Sequence, residues 1–251
     1  MKFRKVVSGF FLGIFTITFA AQSAQNSSCP SDMVKVSGDY CTEAEEICLR
    51  WLDENQSSTA NSGIGPLMCA EFKYPTVCRS KKLIHKEFCI DKYEWPNVKG
   101  ELPKVMMTFW DAKKSCESVG KRLCTGSEHT FACEGQSIKP YPYGDGYHRG
   151  VNVCNQDRKP WLDPATHTFE ELDKRVPSGQ FESCVSDFGV YDIVGNADEW
   201  VVNESGKPYI SALSGGHSVA GVRNRCRPKT IVHGPEFAYY VTGTRCCVDP
   251  K

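Results

Sequence analysis

The sequence predicts an α+β protein with much loop, and three observations predict it. Two short amphipathic stretches open on Thr108 and Thr125, both good helix caps, and stop at Gly120 and Gly135. The other apolar runs are short, such as Phe88-Cys89-Ile90, and end in turn residues. Beyond Gly135, glycine, proline and asparagine are frequent and helical periodicity is absent, so no alternating βαβ pattern develops.

The elements follow in chain order. Lys2, Arg4 and Lys5 precede an apolar run from Val6 to Ala21, and small residues stand at Ala21, Ser23 and Ala24. Residues 1–24 therefore read as a cleaved export signal, which makes the mature protein secreted or periplasmic. The run is too short for a stable membrane span and no second one exists. Cys29 follows Asn-Ser-Ser, unlike a lipid-anchored cysteine. Residues 25–84 form a cysteine-rich extension with Cys29, Cys41, Cys48, Cys69 and Cys78. The spacing predicts a helix over Thr42–Ile47, continuing with Leu49 and Trp51, and a polar linker over Asn55–Gly63. Asn26, Asn55 and Asn203 begin N-x-S sequons.

Residues 85–251 form the main domain. Phe88–Ile90 and Tyr93–Trp95 predict a strand ending at Pro96-Asn97. The helix after Thr108 is expected to turn Trp110, Ala112, Cys116 and Val119 to the core. The helix after Thr125 runs through Phe131 to Cys133, with the capping-box spacing Thr125 to Glu128. The segment Gly189–Val201, GVYDIVGNADEWV, has a β-like apolar entry, a Gly-Asn break, and then Asp198-Glu199-Trp200. Either it is a hairpin whose acids face water, or it is a loop that holds a cation.

Composition narrows the function classes. The chain carries 30 basic and 30 acidic residues, and loss of the three leader cations leaves it slightly acidic. That gives no electrostatic footprint for nucleic acid or an anionic membrane. The 14 cysteines are even in number, no C-x-x-C occurs, and the six histidines are scattered, so the set reads as a disulfide framework rather than zinc sites. A chain of this length can bury a sizeable core, which the bridges would reinforce.

A set of motifs then stands in a particular order: CIDKYEWPN (89–97), MMTFWDAKKSCESVGKRLCTGSEHTFACEG (106–135), YPYGD (141–145), VYDIVGNADEW (190–200), LSGGHSV (213–219), RNRCRP (223–228) and GTRCC (243–247). This succession resembles the sulfatase-modifying-factor domain of the formylglycine-generating enzyme family. It covers about residues 85–248. The resemblance implies a C-type-lectin-like α+β fold. It also implies a structural calcium ion on the Asp192 side chain, the Gly195 and Ala197 carbonyls and the Glu199 carboxylate. Such a set suits a hard cation. A second calcium site would use Asn155 or Asn152.

The family's oxidase holds copper(I) between two thiolates, as a soft ion requires. The matching interval here, Gly215–Arg225, contains no cysteine, so copper is not expected. By the resemblance Cys226 is structural and pairs with Cys133, and Cys246 pairs with Cys116. Adjacent Cys246 and Cys247 point to opposite faces if extended, which makes Cys124 a mate for Cys247; a reactive vicinal pair is the alternative. Partners for the remaining eight cysteines cannot be read from sequence. His217 could be a lone ligand or base, or a structural hydrogen-bonder. The resulting expectation is an exported, calcium-stabilised protein without oxidase activity. It would bind a peptide, glycan or protein ligand at a cleft near His217, Arg223 and Arg225. The alternative is a diverged formylglycine-generating oxidase acting on a sulfatase cysteine.

Overall fold

The computed structural model describes Met1 and residues 28–52, 68–150, 152–160, 162–219 and 221–251. The leader, the polar linker, and the sequons at Asn26 and Asn55 lie outside the described residues. The element order is β1 (Met33–Tyr40), β2 (Ala44–Glu45), β3 (Cys48–Trp51), β4 (Cys69–Phe72), β5 (Val77–Cys78), β6 (Ile84–Asp91), α1 (Phe109–Ser118), β7 (Arg122–Leu123), α2 (Gly126–Glu134), α3 (Phe169–Leu172), β8 (Asp198–Val202), β9 (Ser211–Ser214), β10 (Lys229–Thr230), β11 (Thr242–Gly243) and β12 (Cys246–Val248). One four-stranded sheet has the order β1-β6-β12-β7 and a second has β10-β9-β8-β11. The extension supplies β1, which pairs antiparallel with β6 along eight residues from Met33–Asp91 to Tyr40–Ile84.

Both helices begin where their caps place them. Thr108 and Thr125 each accept from the backbone of the residue three positions on, and Asp111 and Glu128 return the bond. Two expectations for α1 fail. Trp110 is 41% exposed and Val119 is exposed, whereas Phe109 is 2% exposed. The buried stripe runs Phe109, Ala112, Cys116, and Trp110 stands about 100° round the helix from Phe109. Its indole N–H donates to Glu236 at 2.7 Å. The helix expected over Thr42–Ile47 is also overturned, because β2 and β3 occupy that stretch. Ile47, Leu49 and Trp51 alternate at the period of a strand, and bridges Cys41–Cys78 and Cys48–Cys69 fasten the stretch to β5 and β4. Beyond Gly135 one short helix, α3, does form behind a Thr168 cap.

All 14 cysteines are bridged. Cys116–Cys246, Cys133–Cys226 and Cys124–Cys247 tie the helical half to the late strands, while Cys29–Cys89 and Cys154–Cys184 complete the set with the two bridges already named. Cys246 and Cys247 thus serve opposite faces of β12, and the vicinal-pair alternative is excluded. The main core packs Phe88, Ile90, Phe131, Val190, Ile193 and Val194 around two of these bridges. A second core joins Met107, Phe109, Leu123, Trp200 and Leu213. A third lies beneath the extension, where Phe72 meets Tyr141, Tyr143 and Tyr147. Among the described residues no helix is long and apolar enough to cross a membrane.

Candidate functional site

The two acids of GNADEW do not face water. Asp198, Glu199 and Trp200 are each almost fully buried. They start β8, so their side chains alternate between the two faces of the second sheet. Asp198 meets Arg223, whose two terminal nitrogens donate to the two carboxylate oxygens at 3.0 and 2.7 Å. Glu199, on the opposite face, takes Arg245: Nε lies 2.9 and 2.7 Å from its oxygens and Nη2 donates at 2.6 Å. Burial pushes the Glu199 carboxyl up, but the Arg245 guanidinium and the His129 ring together outweigh it and leave the group below the ordinary carboxylate value. The hairpin with a solvated tip is therefore wrong, and each acid has its own arginine.

Behind Glu199 runs a chain that sequence reasoning missed. His129 Nε2 lies 3.1 Å from Glu199 and Ser214 Oγ lies 3.0 Å from His129 Nδ1. Burial lowers the His129 ring, so it is neutral, donates to Glu199 and accepts from Ser214. The order serine, histidine, acid has the look of a nucleophile relay. No substrate can reach it, because Ser214 and His129 are 0% exposed and Arg245 already neutralises the acid. Its role is to hold α2 against β8 and β9. No local motif announces it, since its three members lie in three separate segments.

The cation expectation meets a mixed geometry. Asp192 accepts from Gly179 N–H at 2.6 Å through Oδ2, and its buried Oδ1 has no partner among the described residues. Burial raises this carboxyl to about 6. Gly195, with φ 86°, needs its missing side chain: a Cβ would sit 2.6 Å from the Asn155 carbonyl oxygen. Its N–H donates to Gly215, and Ala197 N–H donates to buried Glu94 at 3.1 Å. Glu94 itself is raised well above its ordinary value by burial and by Asp192 and Glu199. An orphaned carboxylate oxygen at a left-handed turn fits a hard cation held with backbone carbonyls. Glu199 fits less well, because Arg245 and His129 occupy its oxygens. No group of three or more His, Cys, Asp or Glu side chains among the described residues could hold a metal without such carbonyls. Asn155 is engaged on every side, by Lys174, Asn196 and Arg158, so its side chain serves as a hydrogen-bonding hub.

The cleft residues separate. His217 and Arg223 line one cavity of about 370 Å³ with Asp198, Leu213, His233, Phe237, Tyr239, Val241 and Thr242. Arg225 is not there: it pairs with Glu46 of the extension and lies 5.2 Å over the Phe72 ring. The physical reason is that residues 222–227 run through turns and bends rather than as a strand, so residues two apart are not held to one face. Arg223 faces the cavity, Arg225 faces the extension, and Arg227 pairs with buried Glu134 at 2.6 and 2.7 Å while donating to Cys41 of the extension. In the cavity, Val219 N–H donates to His217 Nδ1 at 3.3 Å, which leaves the proton on Nε2. Burial drops the His217 ring to about 4, so it is neutral. His233 stacks on Phe237 at 3.9 Å and 9°, and Phe237 in turn stacks on Tyr239 at 5.8 Å. The cavity thus has an aromatic wall, an aliphatic floor, a self-neutralised ion pair and no sulfur.

Residues 91–249 match the sulfatase-modifying factor enzyme 1-like domain. Two curated relatives carry the name Inactive C-alpha-formylglycine-generating enzyme 2: the Bos taurus protein is 33% identical over 105 residues, and the Mus musculus protein 32% over 104 residues. Each alignment covers 41% of this chain, and the chain spans about a third of their length, 34% and 32%. Among solved structures CarF aligns with a TM-score of 0.54 and 16% identity, over 88% of this chain and 99% of that one, which is a likeness of fold. With the motifs in order, the two sheets and these matches together, the chain belongs to the sulfatase-modifying factor, or formylglycine-generating enzyme, family.

Proposed function

We propose that this protein is an exported, non-oxidase member of its family that binds a peptide segment of a partner at the cavity of His217 and Arg223. The observation that carries the reading is the cysteine inventory. The family's copper(I) oxidase holds its metal between two thiolates, the ligands a soft ion favours. Here the 215–225 interval has none, and all 14 cysteines of the chain are consumed in seven bridges. Such a bridge density belongs to an oxidising compartment, which supports export. The cavity retains what a binding site needs: an open-mouthed pocket with apolar and aromatic walls and a few fixed polar groups.

Calcium enters the same reading as a structural ligand. Asp192 Oδ1 would hold it, with the Gly195 and Ala197 carbonyls, and the ion would supply the charge that this buried oxygen lacks. The test of function is copper(I) titration of the purified protein, followed by incubation with a cysteine-bearing sulfatase-type peptide. No stoichiometric copper uptake and no aldehyde are expected. Uptake of one copper(I) with aldehyde formation would establish the diverged oxidase instead.

A further inference from the structure

The sheet face that carries Asp198 is open at both ends. Asp198, Trp200 and Val202 share that face of β8, and β9 contributes Leu213 and Ser211 opposite Trp200 and Val202. Its middle is roofed by Phe109 and Phe237, which meet Trp200 edge-on at 6.1 and 6.4 Å. At the Asp198 end lies the cavity described above. At the Val202 end lies another, of about 450 Å³, with Phe109, Trp110, Leu123, Val202 and Ile210 among its lining. The two ends, Asp198 and Val202, stand four positions apart along β8, about 13 Å. The ridge between them is the 231–237 loop: Phe109 N–H donates to Pro235, Trp110 to Glu236, and Ser211 to His233. Around the ridge Trp110, Tyr209, Ile210, Ile231 and Val232 are all exposed.

Charge decides what could lie there. In the first cavity Asp198 is matched by Arg223. In the second, Lys113 is matched by Glu117 and Arg122 by Glu128. Neither cavity offers an unmatched charge among these groups, so neither selects a strongly charged partner. We infer that the two cavities form one docking surface for an extended, uncharged segment of a partner protein, with two large apolar side chains about four residues apart, one in each cavity. An extended peptide places side chains four residues apart on the same side at that spacing, and a polar rim around buried apolar anchors is the anatomy of a protein-recognition surface. The inference rests on the proposed peptide-binding role of the first cavity and adds the second anchor.

The experiment is selection from a display library of random heptapeptides against the wild-type protein. Counter-selection uses a His233→Ser, Ile210→Ser double variant, in which both residues are partly exposed and their replacement leaves the core intact. Enriched peptides are expected to carry two large apolar residues three to five positions apart. Affinity should fall at least about tenfold when either peptide anchor becomes serine, when His233→Ser alone blunts the first cavity, or when Ile210→Ser alone blunts the second. Peptides that need one anchor and respond to His233→Ser but not to Ile210→Ser would overturn the two-cavity surface while leaving the proposed function standing. Enrichment insensitive to both variants, a charged consensus, or no enrichment would overturn both.

Discussion

At the residue scale the decisive feature is that Asp198 and Glu199, adjacent in sequence, lie on opposite faces of one strand and are each matched by a buried or half-buried arginine. Removing one member of such a pair strands the other, which costs about 3–5 kcal/mol. Glu199→Gln should therefore destabilise the protein by that amount whether or not calcium is present, because Arg245 loses its partner. Asp192→Ala should instead abolish the rise in melting temperature that calcium gives the wild type and chelator reverses. A wild type that calcium does not stabilise would remove the cation from the account. His217 supplies a pH signature. Its folded-state value is depressed to about 4 against about 6.5 when unfolded, so the unfolded chain binds a proton first. Stability should fall as pH drops from about 6.5 to about 4, by up to about 3 kcal/mol, and His217→Gln should flatten that slope in urea titrations.

At the scale of elements, the helix caps were legible because a threonine three residues before an acid is a local device, and both Thr108 and Thr125 work that way. Which side of α1 turns inward was harder to read. Phe109 and Trp110 are neighbours, and the choice between them is made by Trp200 on β8 and Phe237 in the 231–237 loop, both remote in sequence. Phe109→Ala should cost about 3–5 kcal/mol as a core deletion, whereas Trp110→Ser should cost under about 1 kcal/mol. Equal losses in thermal unfolding would contradict the assigned face. In the extension the acids and alanine of Thr42–Ile47 favour a helix, but bridges at Cys41 and Cys48 fix the stretch as strand. Propensity yields where covalent links set the register.

For the whole molecule, the family resemblance carried the fold, since the motifs sit where two sheets, two helices and their crossings must lie. Partnerships between remote segments stayed hidden. Nothing local in Arg225 says that Glu46 lies across from it, and nothing in Ser214 says that His129 does. The same holds for the extension's strand β1, whose partner β6 is known only from the pairing. Seven bridges brace the chain, and the three that close about 90 to 130 residues between the helical half and the late strands contribute on the order of 4 kcal/mol each on the loop-entropy model. Their larger consequence is chemical, because they leave no thiolate at the cavity or elsewhere. The direct measurement is alkylation of the unreduced, denatured protein followed by mass spectrometry. The expected result is no labelled cysteine, and labelling at two positions, with a copper(I) ion bound between them in the native protein, would contradict the account.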